Sequence, residues 1–328
     1  MILKAAASAP GKVILTGEHF VVFREPALVM AINRYVYVNV EERKDTAIYI
    51  SSSLGFSGIF RGDKFRLETG GTGARRVLEP IKISAESTLN SLNERRGLNI
   101  HVTSTLPVAA GLGSSGASAV STVAAVGKLL EANFTKESIV SLATSAERYV
   151  HNNPSGVDQS ISTYGGIISY KKGEDILHLK INSTIPIVIG NTSFSRNSGK
   201  LVDGVQIRKR RLPEVICLII SAAGKLTTRA IDALKRGDLE ELGLLMDINH
   251  GLLTALGVSN EALDKLVYAA KRGGALGAKL TGAGGGGCII ALTYLDRRED
   301  IAQLISEVGG IPIFAEKVDR GVRSWKVK

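Results

Sequence analysis

From Gly97 to Gly127 the chain carries no Asp, Glu, Lys or Arg, and in the middle stands Pro107-Val-Ala-Ala-Gly-Leu-Gly-Ser-Ser-Gly-Ala117, a glycine-serine turn feeding an alanine-rich stretch. An uncharged window flanked by Arg96 and Lys128 raises a membrane span as one reading. Pro107, the glycines at 111, 113, 116 and 127 and many Ser and Thr residues argue against it, because a span needs roughly 20 consecutive apolar residues. The other reading is a phosphate cradle. A helix start built from Gly111, Gly113, Ser114, Ser115 and Gly116 presents free backbone N–H groups and the positive end of the helix dipole, with glycines letting an anion approach the main chain. The turn lacks the Gly-Lys-Ser/Thr ending of a Walker motif and the three spaced glycines of a dinucleotide fingerprint, so a phosphate-gripping lysine must come from another segment or be absent. A capped helix whose Gly and Ser serve only the turn is the plain alternative.

The rest of the chain has ordinary globular composition: 328 residues, 44% hydrophobic and 22% charged, enough for one large or two modest domains with a real core. The first residues, Met1-Ile-Leu-Lys-Ala-Ala-Ala-Ser-Ala, are interrupted by Pro10, Gly11 and Lys12 before they reach signal-peptide length, and a cytoplasmic protein is expected. Cys217 and Cys288 each lie within an apolar run and are expected as buried thiols, not a disulfide framework or a metal site. A formal charge of +10 fits an anionic substrate or a lysine-rich surface; with 5% aromatics and no recognisable motif, nucleic acid is not expected. The basic run Arg208-Lys-Arg-Arg211 reads as a solvated helix face.

Strand-like runs come first, at 13–15, 35–40 and 47–50. Helical spacing covers 77–93 and 114–133, and Thr135 can cap a third helix whose apolar face includes Ile139, Leu142, Ala143 and Ala146. Residues 98–105 alternate like a strand, and short strands are expected within 165–171, 176–179 and 185–190. Beyond them helices are expected near 201–211, 226–236, 238–256, 260–272 and 296–309, with strands at 214–221, 287–294, 312–318 and 323–327. The mixture is α+β, with a domain seam near 180 and no internal repeat.

Four segments carry chemistry. Pro10-Gly-Lys-Val-Ile-Leu-Thr-Gly-Glu-His19 joins an unusual Pro-Gly to a strand that ends in polar groups; alone, Lys12 reads as a surface charge and His19 as a structural histidine. The glycine-serine turn is the second, where Ser114 or Ser115 can offer a hydroxyl to a magnesium ion. In the third, Glu147-Arg-Tyr-Val-His-Asn-Asn-Pro-Ser-Gly-Val-Asp158, a helix stops before Pro154 and a new one opens, so two carboxylates flank one turn. Magnesium holding a nucleotide needs few protein oxygens, so Glu147 and a serine suffice and Asp158 is left for an acceptor hydroxyl. The plain reading makes Glu147 a surface residue and Asp158 a first-turn carboxylate favouring the helix dipole. The fourth, Lys279-Leu-Thr-Gly-Ala-Gly-Gly-Gly-Gly-Cys288, sets consecutive glycines before a strand, an entropic cost that implies a close approach of the backbone to something.

Taken in order, these segments resemble the galactokinase, homoserine kinase, mevalonate kinase and phosphomevalonate kinase superfamily over nearly the whole chain. Within it the resemblance is to the mevalonate kinases; the Arg and the His-Thr-Asp continuation of galactokinases are absent. It implies a two-domain α+β fold, with a β-rich N-terminal α/β domain over 1–180 and a ferredoxin-like C-terminal domain over 181–328. The implied activity is ATP-dependent phosphorylation of the 5-hydroxyl of mevalonate with Mg²⁺. Another small-molecule kinase of the superfamily, such as a phosphomevalonate kinase, is the near alternative, and a non-catalytic sensor or a nucleic-acid-binding protein on the same fold the distant one. By resemblance Asp158 orients or deprotonates the acceptor hydroxyl and Lys12 stabilises the transferring phosphoryl. Pro107, Ala109, Gly111, Leu112, Gly113, Ser114, Ser115 and Gly116 hold ATP, and Ser114, Ser115 and Glu147 are the metal ligands. Lys12, Glu18, His19, Asp158, Gly282, Ala283 and Gly284 face the substrate. The resemblance implies no membrane partner and allows a homodimer. Where the family often shows Ser-Thr before a lysine this chain has Asn197-Ser-Gly199, so substrate contacts are not carried over to Thr192 or Ser198.

Overall fold

The computed structural model describes residues 3–107, 110–150, 156–194 and 198–327, and of residues 146–150, 198 and 200 the backbone alone. The β-branched and aromatic runs of the N-terminal part build a large sheet from β1 (Lys4–Thr16), β2 (Ala27–Arg43), β3 (Ile48–Ser52), β4 (Ser57–Arg61), β5 (Lys64–Thr69), β6 (Gly97–Ser104), β7 (Ile167–Tyr170) and β8 (Leu177–Leu179). A second, four-stranded sheet holds β9 (Pro186–Asn191), β10 (Gly277–Thr281), β11 (Cys288–Leu292) and β12 (Ile311–Glu316), in the order β10-β11-β9-β12. The last strand, β13 (Arg323–Lys326), returns to the large sheet beside β1, giving the order β13-β1-β2-β6-β3-β4-β5, with β7 and β8 attached through β2. One cut of the chain therefore does not separate the two sheets.

On the large sheet pack α1 (Ala74–Ser91), α2 (Ser114–Leu129) and α4 (Val157–Tyr164), with α3 (Lys136–Val150) laid on these helices; on the small one pack α7 (Leu239–Ala255), α8 (Glu261–Arg272) and α9 (Arg298–Glu307), while α6 (Pro213–Arg236), preceded by α5 (Ser198–Arg211), packs on α7 and reaches β1 and β2. As expected, the Thr135 hydroxyl caps α3 by accepting from the Ser138 N–H at 3.2 Å. α2 packs on β1 and β2 and is flanked by α1, α3 and α4. Ala117, Val120, Val123, Ala125 and Val126 are wholly buried, and so is Ser121, whose hydroxyl donates to the Val36 carbonyl at 3.1 Å. β6 lies between β2 and β3. The uncharged window is thus a sheet strand followed by a central helix, where an unpaired charge would carry a large desolvation cost. Among the described residues no helix is long and apolar enough to cross a membrane.

Two expectations fail together. Residues 214–221 form no strand but belong to α6. A short apolar run fits a buried strand or a helix equally well until its neighbours decide. Here Pro213 opens the helix, and burial follows helical spacing through Ile216, Ile220, Ala223, Thr227, Ala230 and Leu234, while Leu218 within the same run is 72% exposed. Cys217 lies on that outer side and is exposed; Cys288, in β11, is buried as expected. The hairpin β4–β5 and strand β10 had no counterpart among the expected elements, β10 because a lysine stands at its centre. The helical placement of Cys217 predicts that a thiol reagent titrates one cysteine in the native protein and the second only after denaturant; two native thiols, or none, would contradict it.

Candidate active site

The site begins with a defect in β1. That strand lies between β13 and β2, where a proline would normally break the ladder. The pairing with β2 slips between Pro10 and Gly11, a bulge that tolerates the missing N–H and re-aims the following side chain. The Pro10 carbonyl accepts from the Ser162 hydroxyl at 2.8 Å, and the Lys12 N–H donates to the Leu112 carbonyl at 2.8 Å. Strand and glycine-serine turn are therefore joined at the residue that matters. Lys12 points into the protein, its side chain 7% exposed, and its Nζ stands 3.2 Å from Asp158 Oδ1.

The turn fits around this pair. Gly113, at φ 76°, starts α2, and a Cβ there would lie 2.7 Å from Lys12 Cγ; a Cβ on Gly116 would lie 2.7 Å from Asp158 Cβ. No side chain caps α2 and no acidic residue occupies its first turn, so the helix start is left open to an anion. Asp158 sits in the first turn of α4, which opens after Gly156 at φ 77°. Glycine here lets Lys12 and Asp158 approach the turn closely.

Gly111, Gly113, Ser114, Ser115, Lys12 and Asp158 line one cleft of about 700 Å³ together with His19, Gly282 and Ala283. Arg76, Val77 and Pro80 of α1 and Val202 of α5 complete parts of its wall; nothing in the sequence marked them. Ser114 is half-buried and Ser115 exposed. Among the described residues no three His, Cys, Asp or Glu are grouped to hold a metal by themselves. Two hydroxyls beside a carboxylate in the same cleft instead fit a hard cation held mainly by phosphate oxygens and water.

The acceptor end is more tightly built than the sequence implies. The Glu18 carbonyl accepts from the Phe20 N–H at 2.6 Å, closing a γ-turn whose centre, His19, has φ 58° and ψ −42°. A non-glycine residue in this region is strained, and such strain persists only where the surroundings over-determine it. His19 Nε2–H donates to the Ala283 carbonyl at 2.9 Å, tying the turn to the glycine loop. Glu18 is buried under the cleft, its carboxylate paired with Lys279 and accepting from Asn249 Nδ2 at 3.2 Å. Burial pushes the Glu18 carboxyl above its ordinary value and the Lys279 ammonium below its own, each offset by attraction to the other. Glu18, expected as a substrate contact, lines the cleft with its carboxylate shielded and bound to Lys279.

Other expected residues divide in the same way. The Leu112 side chain is in the core and only its backbone serves the site, through the Lys12 N–H. Pro107 precedes the turn outside the cleft lining, and Gly116 acts by letting Asp158 approach. Gly284 does not line the cleft: it packs where a Cβ would come 2.0 Å from the Val258 carbonyl, which takes the Gly285 N–H at 2.8 Å. Thr192 is a loop fastener, its hydroxyl donating to the Gly287 carbonyl at 2.9 Å. Ala109 and the side chains of Glu147 and Ser198 lie outside the described residues.

Close approach and helix propensity make opposite predictions for two helical glycines. Gly116→Ala should destabilise the protein by about 1–3 kcal/mol through overpacking on Asp158. Gly251→Ala, in α7 with nothing near its Cβ position, should stabilise by roughly 0.5–1 kcal/mol. Denaturant melts of the two variants decide; equal effects would remove the steric argument.

Comparison with known proteins agrees with this geometry. The family model for the GHMP kinases N terminal domain matches residues 77–166, and that for the GHMP kinases C terminal matches residues 230–310. Mevalonate kinase of Pyrococcus abyssi is 42% identical over 331 residues, covering 98% of each chain, and that of Pyrococcus horikoshii is 41% identical over 338 residues, covering 100% of this chain and 99% of its own. The crystal structure of L. major mevalonate kinase in complex with R-mevalonate superposes with a TM-score of 0.83 at 26% identity, covering 96% of each chain. With both family domains in place, and relatives of this similarity spanning its full length, the chain belongs to the GHMP kinases.

Proposed function

We propose that this chain phosphorylates the 5-hydroxyl of mevalonate with ATP, and that Asp158 and Lys12 are its catalytic pair. The observation that carries the reading is the 3.2 Å contact between Lys12 Nζ and Asp158 Oδ1 beside the uncapped start of α2 in one cleft. Mevalonate kinases that match along the full length support the substrate.

Phosphoryl transfer needs in-line positioning and neutralisation of spread negative charge more than covalent chemistry. The open N–H groups of α2 receive the ATP phosphates at Gly111, Gly113, Ser114 and Ser115. Asp158 accepts the proton of the mevalonate hydroxyl and aims its oxygen. Lys12, held against both the turn and Asp158, stabilises the charge that develops on the transferring group. His19, Gly282 and Ala283 bound the acceptor end. Ser114 or Ser115, with Glu147, would hold Mg²⁺, which when bound neutralises charge on the ATP phosphates.

Purified protein with Mg²⁺ and ATP, offered mevalonate, phosphomevalonate, galactose and homoserine, should release ADP with mevalonate. Turnover confined to another acceptor would sink the substrate assignment and leave the family intact. Asp158→Asn should fold, bind ATP and lose roughly two orders of magnitude or more in kcat. Near wild-type turnover would remove Asp158 from its role.

A further inference from the structure

Lys279 lies at the centre of β10 with its ammonium wholly shielded, and no step of phosphoryl transfer requires it. A buried lysine is costly unless paired, and apolar residues of similar volume often stabilise a core as well or better. Its contacts say what it does. Besides pairing with Glu18, Nζ donates to the Leu280 carbonyl at 2.6 Å and to the Ile14 carbonyl at 3.4 Å. It therefore grips the end of β1 and the following turn from the other sheet. Asn249 of α7 works on the same turn: its Nδ2 donates to Glu18 and its Oδ1 accepts from the Gly17 N–H at 3.4 Å.

On the far side of His19, Phe20 is wholly buried in the core of the small-sheet half, among residues such as Val188, Leu253 and Ile289. The strained residue is thus fixed on both sides by elements far away in sequence, and its own ring holds Ala283. Lys279 itself is absent from the cleft lining, and its hydrogen bonds go to Glu18, Ile14 and Leu280. Its hydrogen bonds go to the acceptor end, while its charge also acts on Lys12.

We propose that Lys279 is a positioning residue for the acceptor: through Glu18 it holds the γ-turn in its left-handed conformation and so sets His19 and Ala283 against the acceptor molecule. This rests on the mevalonate kinase reading. A purely structural lysine would, when replaced, lower the amount of folded enzyme or affect both substrates alike. A positioning lysine separates them.

The experiment is steady-state kinetics on Lys279→Met, with circular dichroism to establish folding and wild type alongside. The expected result is a KM for mevalonate raised about tenfold or more, with the KM for ATP within about twofold of wild type. A folded variant whose KM for mevalonate stays within about twofold, or whose two KM values rise together, overturns the proposal. Should Lys279→Met fail to fold, Asn249→Ala removes the other grip on Glu18 and Gly17 and must show the same separation; its absence overturns the proposal equally. Wild-type enzyme inactive on mevalonate would instead refute the underlying reading, an outcome distinct from active wild type with no separation in the variants.

Discussion

The constraint on which the site depends is the approach of two charged side chains to the first turn of a helix. Lys12 and Asp158 occupy the space that side chains at positions 113 and 116 would fill. That contact requires glycine in α2, a bulge in β1 to turn Lys12 inward, and a helix start at Gly156 to bring up Asp158. It also brings an ammonium to the positive end of a helix dipole, an unfavourable placement that the Asp158 carboxylate offsets. An anion arriving at the helix start adds a second offset, so the arrangement is matched to a bound phosphate as well as to the empty fold.

Around this point the two halves divide the labour. The large-sheet half supplies Lys12, Asp158 and the open start of α2; the small-sheet half supplies Gly282, Ala283 and the anchors beneath Glu18. Hydrogen bonds between Ile14 and Thr281, at 3.1 Å and 3.4 Å, run between them next to the cleft. The acceptor end is consequently shaped by both halves, and the phosphate end by one.

Much of this was legible in the sequence because its signals are local. The glycine-serine turn at the start of α2 shows within a few residues, Lys12 and Asp158 stand out only in the company of the other segments, and Thr135 announces its helix plainly. What escaped depends on distant partners. Lys279 reads only as the first residue of the glycine segment until Glu18 is brought beside it, and nothing near Glu18 in sequence announces that pairing. The run at 214–221 was ambiguous for another reason: its apolar residues satisfy two periods, and only packing shows which side is covered. Gly284 and Gly116 were recognised as necessary, but what each must let past it is a neighbour, a fact of the tertiary structure.

The return of β13 to the large sheet bears on how such a chain is made. β1, which carries Lys12, pairs on one side with β2 soon after synthesis begins, but its other side is covered by Arg323–Lys326. On a ribosome, the edge of this strand stays exposed while nearly all of the small-sheet half is being produced. Such an open edge invites pairing with another chain. Non-local pairing of this kind also slows folding, since a long loop must close before the contact forms. Strand β13 therefore acts as a latch, and β1 is sealed only when both halves are present.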